Sequence, residues 1–244
     1  MATDNPNKSD QDKQFLRFIS QISHELLAPL TEMIYDNDFI VNFAERDPDN
    51  ISKRHLISAL RENINKSIYL KHIINELTYL YSPSEKSSNY NIVKQDNPKR
   101  ILLDAILLLE KDAHSKGISI RTNISEMPPI YFDKDRMMQV FLNLLKNAIR
   151  YADCNTDIDI FYNKKEDGFH EIRFTNFGIG IQEDEKEAIF ELFYRGKEAT
   201  NKFQQGTGTG LYIVRDIMRA HGGDCYVRCL NNPTEFVITL PNKH

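Results

Sequence analysis

Two glycine clusters in the C-terminal half of the chain are candidates for binding an anion. They are "NFGIGI" (Asn176 to Ile181) and "GTGTGL" (Gly206 to Leu211). Glycine lets backbone amides approach a phosphate, and the second cluster opens into a predicted helix, whose N-terminus favours an anion. Neither cluster is specific alone, because glycine pairs commonly mark turns and neither fits a Walker or a Rossmann pattern.

A predicted helix upstream of both clusters carries two amides and a guanidinium at helical spacing. Asn143 and Asn147 are four residues apart, and Arg150 follows three residues later. Magnesium prefers oxygen ligands and phosphate prefers arginine, so this face is a plausible seat for Mg²⁺ and phosphate oxygens. The alternative is a pair of surface amides, but asparagine is a mediocre helix former and two at this spacing need a reason.

The stretch "SHELLAPL" (Ser23 to Leu30) places His24, Glu25 and Pro29 within an apolar stripe of helical period. A neutral imidazole nitrogen can attack phosphorus, and a neighbouring carboxylate can hold the other ring N–H and take up its proton. Pro29 breaks one backbone bond and crowds the Glu25 carbonyl, which would let the helix bend. The alternatives are a structural histidine and a kink without function.

Composition restricts the class of protein. The 244 residues carry a net charge of −4, with 41% hydrophobic and 27% charged residues, as expected of a globular chain. This charge argues against nucleic-acid binding. We find no apolar run of membrane-spanning length and no signal peptide, and the cysteines Cys154, Cys225 and Cys229 form no metal-type pair. We therefore expect a cytoplasmic protein without a direct membrane span.

The N-terminal half is predicted to be a helical hairpin. After a polar tail at residues 1–12, apolar residues recur at helical spacing over Lys13 to Glu45 and again over Ile51 to Tyr81. Two long helices with a short connection form an antiparallel hairpin, here assigned to residues 13–82. Because one hairpin cannot cover its own apolar seam, we expect it to dimerise into a four-helix bundle.

The C-terminal half changes character after a polar stretch that we predict to be a linker, residues 83–97. Residues 98–244 alternate between predicted helices, such as Asp133 to Ala152, and short strands, such as Asp224 to Leu230. The stretch from Gly178 to Gly208 carries few strand signals. Helices mixed with largely antiparallel strands indicate an α/β sandwich, so the whole chain is predicted to be α+β.

Five segments in this order resemble the H, N, first glycine, F and second glycine boxes of bacterial-type sensor histidine kinases. They are "HELLAPL", "NLLKNAIRYA", "NFGIGI", "IFELFYRG" and "GTGTGLYIVRDIMRAHGG". The resemblance runs from about Phe15 to Pro241. It implies a dimerisation and histidine-phosphotransfer hairpin followed by an ATP-binding domain of the Bergerat type. Gyrase-like, heat-shock and mismatch-repair ATPases share that domain but lack a hairpin that carries His24.

The same resemblance implies cofactors and a nucleotide site. ATP and Mg²⁺ would be bound, with Asn147 holding the metal and Asn143 supporting it. Gly178 and Gly180 would let the chain pass close to adenine, while the second cluster would wrap the triphosphate. The positions assigned to the nucleotide are Asn143, Asn147, Arg150, Tyr151, Asn176, Gly178, Gly180, Ile181, Gly206, Thr207, Gly208, Gly210 and Leu211.

The residues implied for the transfer itself lie in the H and F boxes. His24 would accept the γ-phosphoryl group, Glu25 would assist it, and Arg195 would reach the γ-phosphate from a flexible lid that also contains Phe190 and Phe193. The phosphoryl group would then pass to an aspartate of a response regulator. That partner would dock near Thr31, Glu32 and Tyr35, and a separate sensor protein would govern the homodimer.

The sequence departs from the family pattern at a few positions. Asn176 stands where aspartate is usual, Thr209 replaces a common leucine, and Leu27 and Ala28 replace the usual arginine and a threonine or asparagine. Ala28 implies weak phosphatase activity. Two other functions stay open: a nucleotide-binding pseudokinase or dimeric scaffold, and an ATPase that hydrolyses ATP without phosphorylating itself.

Overall fold

The computed structural model describes residues 6–46, 52–81, 91–124, 127–203 and 206–242, and it divides into two compact units, Met1–Ser87 and Ser88–His244. The first unit contains helices α1 (Pro6–Arg46) and α2 (Lys53–Tyr81). Asn63 and Ser67 of α2 bond Asn37 and Met33 of α1, so the pairing runs in opposite directions along the two helices. The predicted antiparallel hairpin is confirmed.

The interior of the hairpin is small and partly polar. The buried apolar side chains among its described residues are Phe18, Ile22, Ile73 and Tyr79. Near the middle, Lys66 Nζ lies 2.8 Å from Asp36 and 3.1 Å from Glu32. Partial burial lowers the pKa of Lys66, but the bonds to these two carboxylates outweigh it and raise that pKa above its ordinary value.

Large apolar side chains stay exposed along both helices of the hairpin. On α1 and α2 they follow the spacing of three and four residues that places side chains on one helix face. This exposed apolar stripe comprises Leu27, Leu30, Ile34, Val41, Ile57, Leu60, Ile64 and Ile68. A single hairpin therefore leaves much of its apolar surface in water.

The predicted start of α1 is wrong. The helix begins at Pro6, so residues 6–12 of the predicted polar tail belong to it. Proline is favoured at the first helical position, and an established helix propagates readily through polar residues. The prediction that one long helix continues through Pro29 is confirmed, since α1 runs without a break from Pro6 to Arg46.

The second unit is built from seven strands, four helices and two short 3₁₀ turns among the described residues. In chain order they are β1 (Val93–Asp96), α3 (Pro98–Ser115), β2 (Ser119–Asn123), β3 (Ile130–Phe132), α4 (Lys134–Tyr151), β4 (Asp157–Lys164), β5 (Phe169–Asn176), 3₁₀ turns Glu183–Glu185 and Ala188–Phe190, α5 (Lys197–Lys202), α6 (Gly210–Ala220), β6 (Asp224–Leu230) and β7 (Thr234–Pro241).

Five strands form one sheet in the order β2-β4-β5-β7-β6, with β2 parallel to β4 and the other neighbours antiparallel. Alternate residues face the helices: Phe174 of β5 packs against Phe141 of α4, with ring centroids 6.1 Å apart. Its strand neighbours Arg173 and Thr175 face the other way, where Arg173 lies over the Phe161 ring. The predicted α/β sandwich is confirmed.

The predicted linker at residues 83–97 is only partly a connection. Residues 82–90 lie outside the described residues, but β1 pairs antiparallel with β3 and forms a separate two-stranded sheet. Asn97 then caps α3 by accepting a bond from the Lys99 amide at 2.9 Å. The second unit therefore begins before Pro98, because β1 acquires its partner from a distant part of the chain.

Candidate nucleotide-binding site

Helix α4 places its amides at the inner edge of the sandwich. Its N-cap, Asp133, accepts a bond from the Arg136 amide at 3.0 Å. Asn143 is only 5% exposed and Asn147 is half-buried, so neither is a simple surface amide. The Nδ2 atom of Asn143 is buried without a hydrogen-bond partner. Such a group is rare in a folded protein and is satisfied by a bound molecule or water.

Helix α6 meets α4 at this point. A β-carbon at Gly210, the first residue of α6, would lie 3.5 Å from Oδ1 of Asn143, so the second glycine cluster and the amide face of α4 are brought together. At its other end α6 is joined to α4 by His221, whose Nε2 accepts from the Asp133 amide at 3.0 Å. The ring proton therefore lies on Nδ1, which donates to the Ile217 carbonyl at 2.7 Å.

The first glycine cluster makes close contacts with the protein itself. A β-carbon at Gly178 would overlap the Tyr151 carbonyl and lie 2.8 Å from the Ala152 α-carbon, while one at Gly180 would lie 2.8 Å from the Asn231 side chain. These contacts explain why glycine is needed at both positions, and they are contacts with the protein and not, as was expected, with adenine. The missing side chains let the chain pass the end of α4 and the β6–β7 turn.

The second glycine cluster does adopt backbone conformations that require glycine. Gly206 and Gly208 have φ angles of 142° and 70°. A β-carbon at Gly206 would lie 3.1 Å from Nε of Arg195, so this cluster borders the arginine predicted to reach the γ-phosphate. The Gly208 carbonyl accepts a bond from the Phe193 amide at 2.9 Å. Cluster and predicted lid are therefore in contact.

The predicted lid, residues 182–203, consists of the two 3₁₀ turns, α5 and connecting segments. Phe190 is buried beneath Arg215, whose guanidinium lies 4.5 Å from the ring centroid. Arg195 donates from Nη2 to the carbonyl of Phe203 at 2.6 Å and to that of Ala199 at 3.4 Å. These bonds hold its guanidinium at the C-terminal end of α5.

Glu185 is a residue of this region that the sequence analysis missed. It is 3% exposed and accepts bonds from the Tyr194 hydroxyl at 3.2 Å and the Lys197 amide at 2.8 Å. Burial, followed by the Glu185 charge, raises the pKa of Tyr194, which stays protonated and donates. Its bond from the Gln182 amide is a local capping contact, but spacing alone could not reveal its bonds to Tyr194 and Lys197, which lie nine and twelve residues further along the chain.

Lys116 and Phe203 were missed for the same reason. Lys116 Nζ donates to the carbonyls of Ile149 and Arg150 at 2.8 and 2.7 Å, which satisfies the C-terminal end of α4. It also lies 5.6 Å from the Phe203 ring centroid, and that ring meets Tyr151 edge to face at 5.5 Å. The far end of the lid therefore closes against the predicted pocket residue Tyr151.

The remaining predicted nucleotide residues are distributed around the same region. Asn176 ends β5, is 3% exposed, and has a buried Nδ2 without a hydrogen-bond partner. The Ile181 amide donates to the Leu230 carbonyl at 2.7 Å, and the Thr207 and Thr209 hydroxyls lie 2.6 Å apart. Arg150 and Leu211 are half-buried.

The predicted phosphoacceptor lies in the hairpin unit. His24 is exposed on α1, and Glu25 and Pro29 are half-buried on the same helix. Thr31, Glu32 and Tyr35, the predicted docking residues, are also exposed, and Glu32 is engaged with Lys66. An exposed imidazole is accessible to a phosphate donor and to a partner protein.

The described residues contain neither a cluster of metal-binding side chains nor a membrane-spanning helix. No group of three histidine, cysteine, aspartate or glutamate side chains is arranged to hold a metal, so a metal here would depend on amide and phosphate oxygens. Nor does any helix in this part of the chain combine the length and apolar composition needed to cross a bilayer.

Comparisons with known proteins agree with this geometry. Residues 132–244 match the family of histidine kinase-, DNA gyrase B- and HSP90-like ATPases. The sensor protein SrrB of Staphylococcus aureus strain N315 is 30% identical over 242 residues, which cover 98% of this chain and 40% of SrrB. The chain thus spans about two fifths of the length of the curated relatives it matches.

Solved structures show the same architecture. The catalytic domain of the histidine kinase ThkA superposes with a TM-score of 0.54 at 26% identity, covering 64% of this chain and 97% of that domain. Full-length ShkA, solved with AMPPNP, has a TM-score of 0.59 at 20% identity over 87% of this chain and 46% of ShkA, and shares the fold. Residues 132–244 therefore carry an ATPase domain of the kind found in histidine kinases, and the chain as a whole is similar to the catalytic core of sensor histidine kinases.

Proposed function

We propose that this chain is an ATP-dependent protein-histidine kinase that phosphorylates itself on His24 and passes the phosphoryl group to an aspartate of a response regulator. The observation that carries the proposal is the meeting of α4, α6 and the lid. The buried amide of Asn143 adjoins Gly210, and Gly206 adjoins Arg195. The match to a family of ATPases over residues 132–244 supports ATP as the ligand of this region.

The proposed site uses oxygen and guanidinium groups toward the triphosphate. Asn147, supported by Asn143, would hold Mg²⁺ through amide oxygens, a ligand type that suits this ion. When bound, the ion neutralises charge on the phosphate oxygens. Arg150 and the glycines of the second cluster face the phosphates, Tyr151 lines the pocket, and Asn176 accepts from the adenine amino group.

The proposed step is an in-line displacement. A ring nitrogen of His24 forms a bond to the γ-phosphorus, the bond from that phosphorus to its bridging oxygen breaks, and ADP leaves. Glu25 holds the other ring N–H and accepts the proton that the imidazole loses. Arg195 stabilises the charge that develops on the transferred group, so catalysis rests mainly on positioning and electrostatics.

The proposed partners follow from the exposed surface of the hairpin. Its exposed apolar stripe would be covered by a second copy in a four-helix bundle, and the regulator would dock near Thr31, Glu32 and Tyr35. A cytoplasmic location belongs to the same proposal. Because Ala28 offers no hydroxyl or amide to orient water one turn from His24, phosphatase activity should be weak.

Labelling with γ-³²P-ATP tests the proposal. The chain should acquire label that is stable to alkali and labile to acid, and His24→Gln should abolish it while nucleotide binding and mass in solution stay unchanged. His55→Gln, an exposed histidine on α2, is the matched control and should label normally. Free phosphate without labelled protein would indicate an ATPase, and neither product would indicate a nucleotide-binding scaffold.

A further inference from the structure

The buried carboxylate of Glu185 holds the chain on both sides of Arg195. Its Oε1 accepts from the Tyr194 hydroxyl at 3.2 Å and from the Lys197 amide at 2.8 Å. Tyr194 immediately precedes Arg195, and Lys197 follows it by two residues. Because both bonds end on one carboxylate that is 3% exposed, the backbone at Arg195 is fixed from two sides.

The second carboxylate oxygen of Glu185 contacts the first residue of the lid, Gln182. Oε2 accepts from the Gln182 amide at 3.4 Å, one residue after the first glycine cluster. A β-carbon at Gly196 would lie 3.2 Å from Oε2, so glycine at this position leaves room for the carboxylate. One side chain thereby ties the start of the lid to the segment that carries Arg195.

The guanidinium of Arg195 is directed from this anchored backbone toward the second glycine cluster. It bonds the Phe203 and Ala199 carbonyls, and it borders Gly206. The hydrogen bonds of Glu185 all join it to residues of the lid, namely Gln182, Tyr194 and Lys197. Its influence on a triphosphate would therefore be exerted through Arg195.

We infer that Glu185 is a positioning residue for phosphoryl transfer: it fixes the backbone around Arg195 so that the guanidinium meets the γ-phosphate without Glu185 touching the nucleotide. The inference rests on the proposed function of the lid. Fixing a charged group before the substrate arrives removes an entropic cost from the transfer, and a misplacement of about 1 Å is enough to lose much of the rate.

Glu185→Gln in the full chain tests this inference. The amide keeps the size of the side chain but places an NH₂ group against an N–H or O–H donor. We expect kcat/KM for ATP to fall by roughly tenfold or more, the cost of losing a charge-assisted anchor and the geometry it fixes. Affinity for ADP, which lacks the γ-phosphate, should change by less than about twofold. Glu183→Gln, exposed on the same 3₁₀ turn, is the matched control and should match the unmodified chain.

A double-mutant cycle with Arg195→Ala distinguishes positioning from simple structural support. If Glu185 acts through Arg195, adding Glu185→Gln to Arg195→Ala should lower ATP turnover no further than about twofold. If the losses of ATP turnover in the two single variants multiply in the double variant, the inference is overturned. It is also overturned if Glu185→Gln loses affinity for ATP and ADP equally and has a lower melting temperature. Unchanged ATP turnover in Glu185→Gln would overturn it as well.

Failure of the proposed function would appear differently. If the unmodified chain forms no phosphohistidine but binds nucleotide, the kinase proposal fails, and the ratio of ATP to ADP affinity then decides the role of Glu185. A ratio that falls in Glu185→Gln and in Arg195→Ala, but not in Glu183→Gln, supports the inference. A ratio that does not change in Glu185→Gln overturns it.

Discussion

The two compact units leave different kinds of surface unsatisfied. The hairpin buries few of its apolar side chains and exposes a long apolar stripe on both helices. The sandwich buries a continuous apolar core between sheet and helices, but it leaves three amide nitrogens, those of Gln139, Asn143 and Asn176, buried without a hydrogen-bond partner. The hairpin therefore lacks partners for its exposed apolar side chains, and the sandwich lacks hydrogen-bond partners for these amide nitrogens.

This difference indicates what each unit binds. Exposed apolar area is removed most effectively by another protein surface, since the gain is proportional to the area taken from water. A buried, unsatisfied amide is satisfied by a small polar ligand. The hairpin is therefore suited to association with a second chain, and the sandwich is suited to a nucleotide.

The largest effect should come from charging the apolar stripe of the hairpin. Ile64, 58% exposed on α2, should lie in the interface of the proposed bundle. Ile64→Asp would bury an unpaired carboxylate there and should raise the dissociation constant of the dimer by about a hundredfold or more. Leu107→Asp, at a residue 57% exposed on α3, is the matched control and should leave the dimer intact. Light scattering over a dilution series measures both, and an unaffected Ile64→Asp dimer would remove this stripe from the interface.

A comparable loss is expected at the polar site of the sandwich. Asn147→Ala should remove Mg²⁺-dependent nucleotide binding, since the proposed metal ligand is lost and only Asn143 remains one turn away. Calorimetric titration with ATP, in the presence of Mg²⁺ and then of EDTA, measures the difference. Asn163→Ala, on an exposed position of β4, should bind normally. Unchanged Mg·ATP affinity in Asn147→Ala would mean that the metal is held elsewhere.

The elements of both units could be predicted because their signals are local. Helices α1, α2, α3 and α4 follow a 3.6-residue apolar period, and β6 and β7 are short runs rich in strand-forming residues that lie between clear turns. Strand β1 could not be predicted, because four residues gain their pairing from β3, more than thirty residues away. The start of α1 at Pro6 lies in a polar stretch without periodicity.

The residues of the candidate site also fall into those that the sequence could predict and those that it could not. The amides and glycines could be predicted from spacing and family pattern, and the structure does bring Asn143 to Gly210 and Arg195 to Gly206. Glu185, Lys116 and Phe203 could not, because their roles consist of contacts that cross loops. The contacts of Gly178 and Gly180 with the protein backbone likewise depend on tertiary packing that spacing does not reveal.

A smaller effect should sharpen the assignment of the adenine edge. Asn176→Asp replaces a neutral acceptor by a charged one and should raise ATP affinity by up to about tenfold. Because the position is 3% exposed, the carboxylate should also lower stability in the absence of nucleotide. Fluorescence titration and thermal melting with and without ATP measure the two effects. Unchanged or weaker ATP binding would place Asn176 away from the adenine.

The smallest effect concerns the response of the sandwich to acid. Burial lowers the pKa of His170, which bonds Tyr162 at 2.8 Å and Asn242 at 3.2 Å. The unfolded chain takes up this proton near pH 6.5, so the contribution to stability is present above that pH and is lost as pH falls below it, by at most about 1.4 kcal/mol per pH unit. Urea unfolding at pH 7.5 and 5.5 should show the loss.

A variant isolates the contribution of His170 to that loss. His170→Gln should reduce the difference between the two pH values, whereas His114→Gln, exposed on α3, should leave it unchanged. An equal loss in His170→Gln would attribute the acid effect to other groups.

The bonds of His221 have a consequence for the timescales of motion around the nucleotide. One imidazole joins the end of α6 to the beginning of α4, and Gly210 meets Asn143 at the opposite end of α6. Because α4 and α6 are in contact at both ends of α6, we expect the two helices to open as one cooperative unit. The Asp133 amide should therefore exchange its hydrogen only on global unfolding of the sandwich. The lid amides are held by fewer elements and should exchange through local opening. Fluctuations of the site should therefore concentrate in the lid, while its two helical walls stay fixed through many cycles of opening.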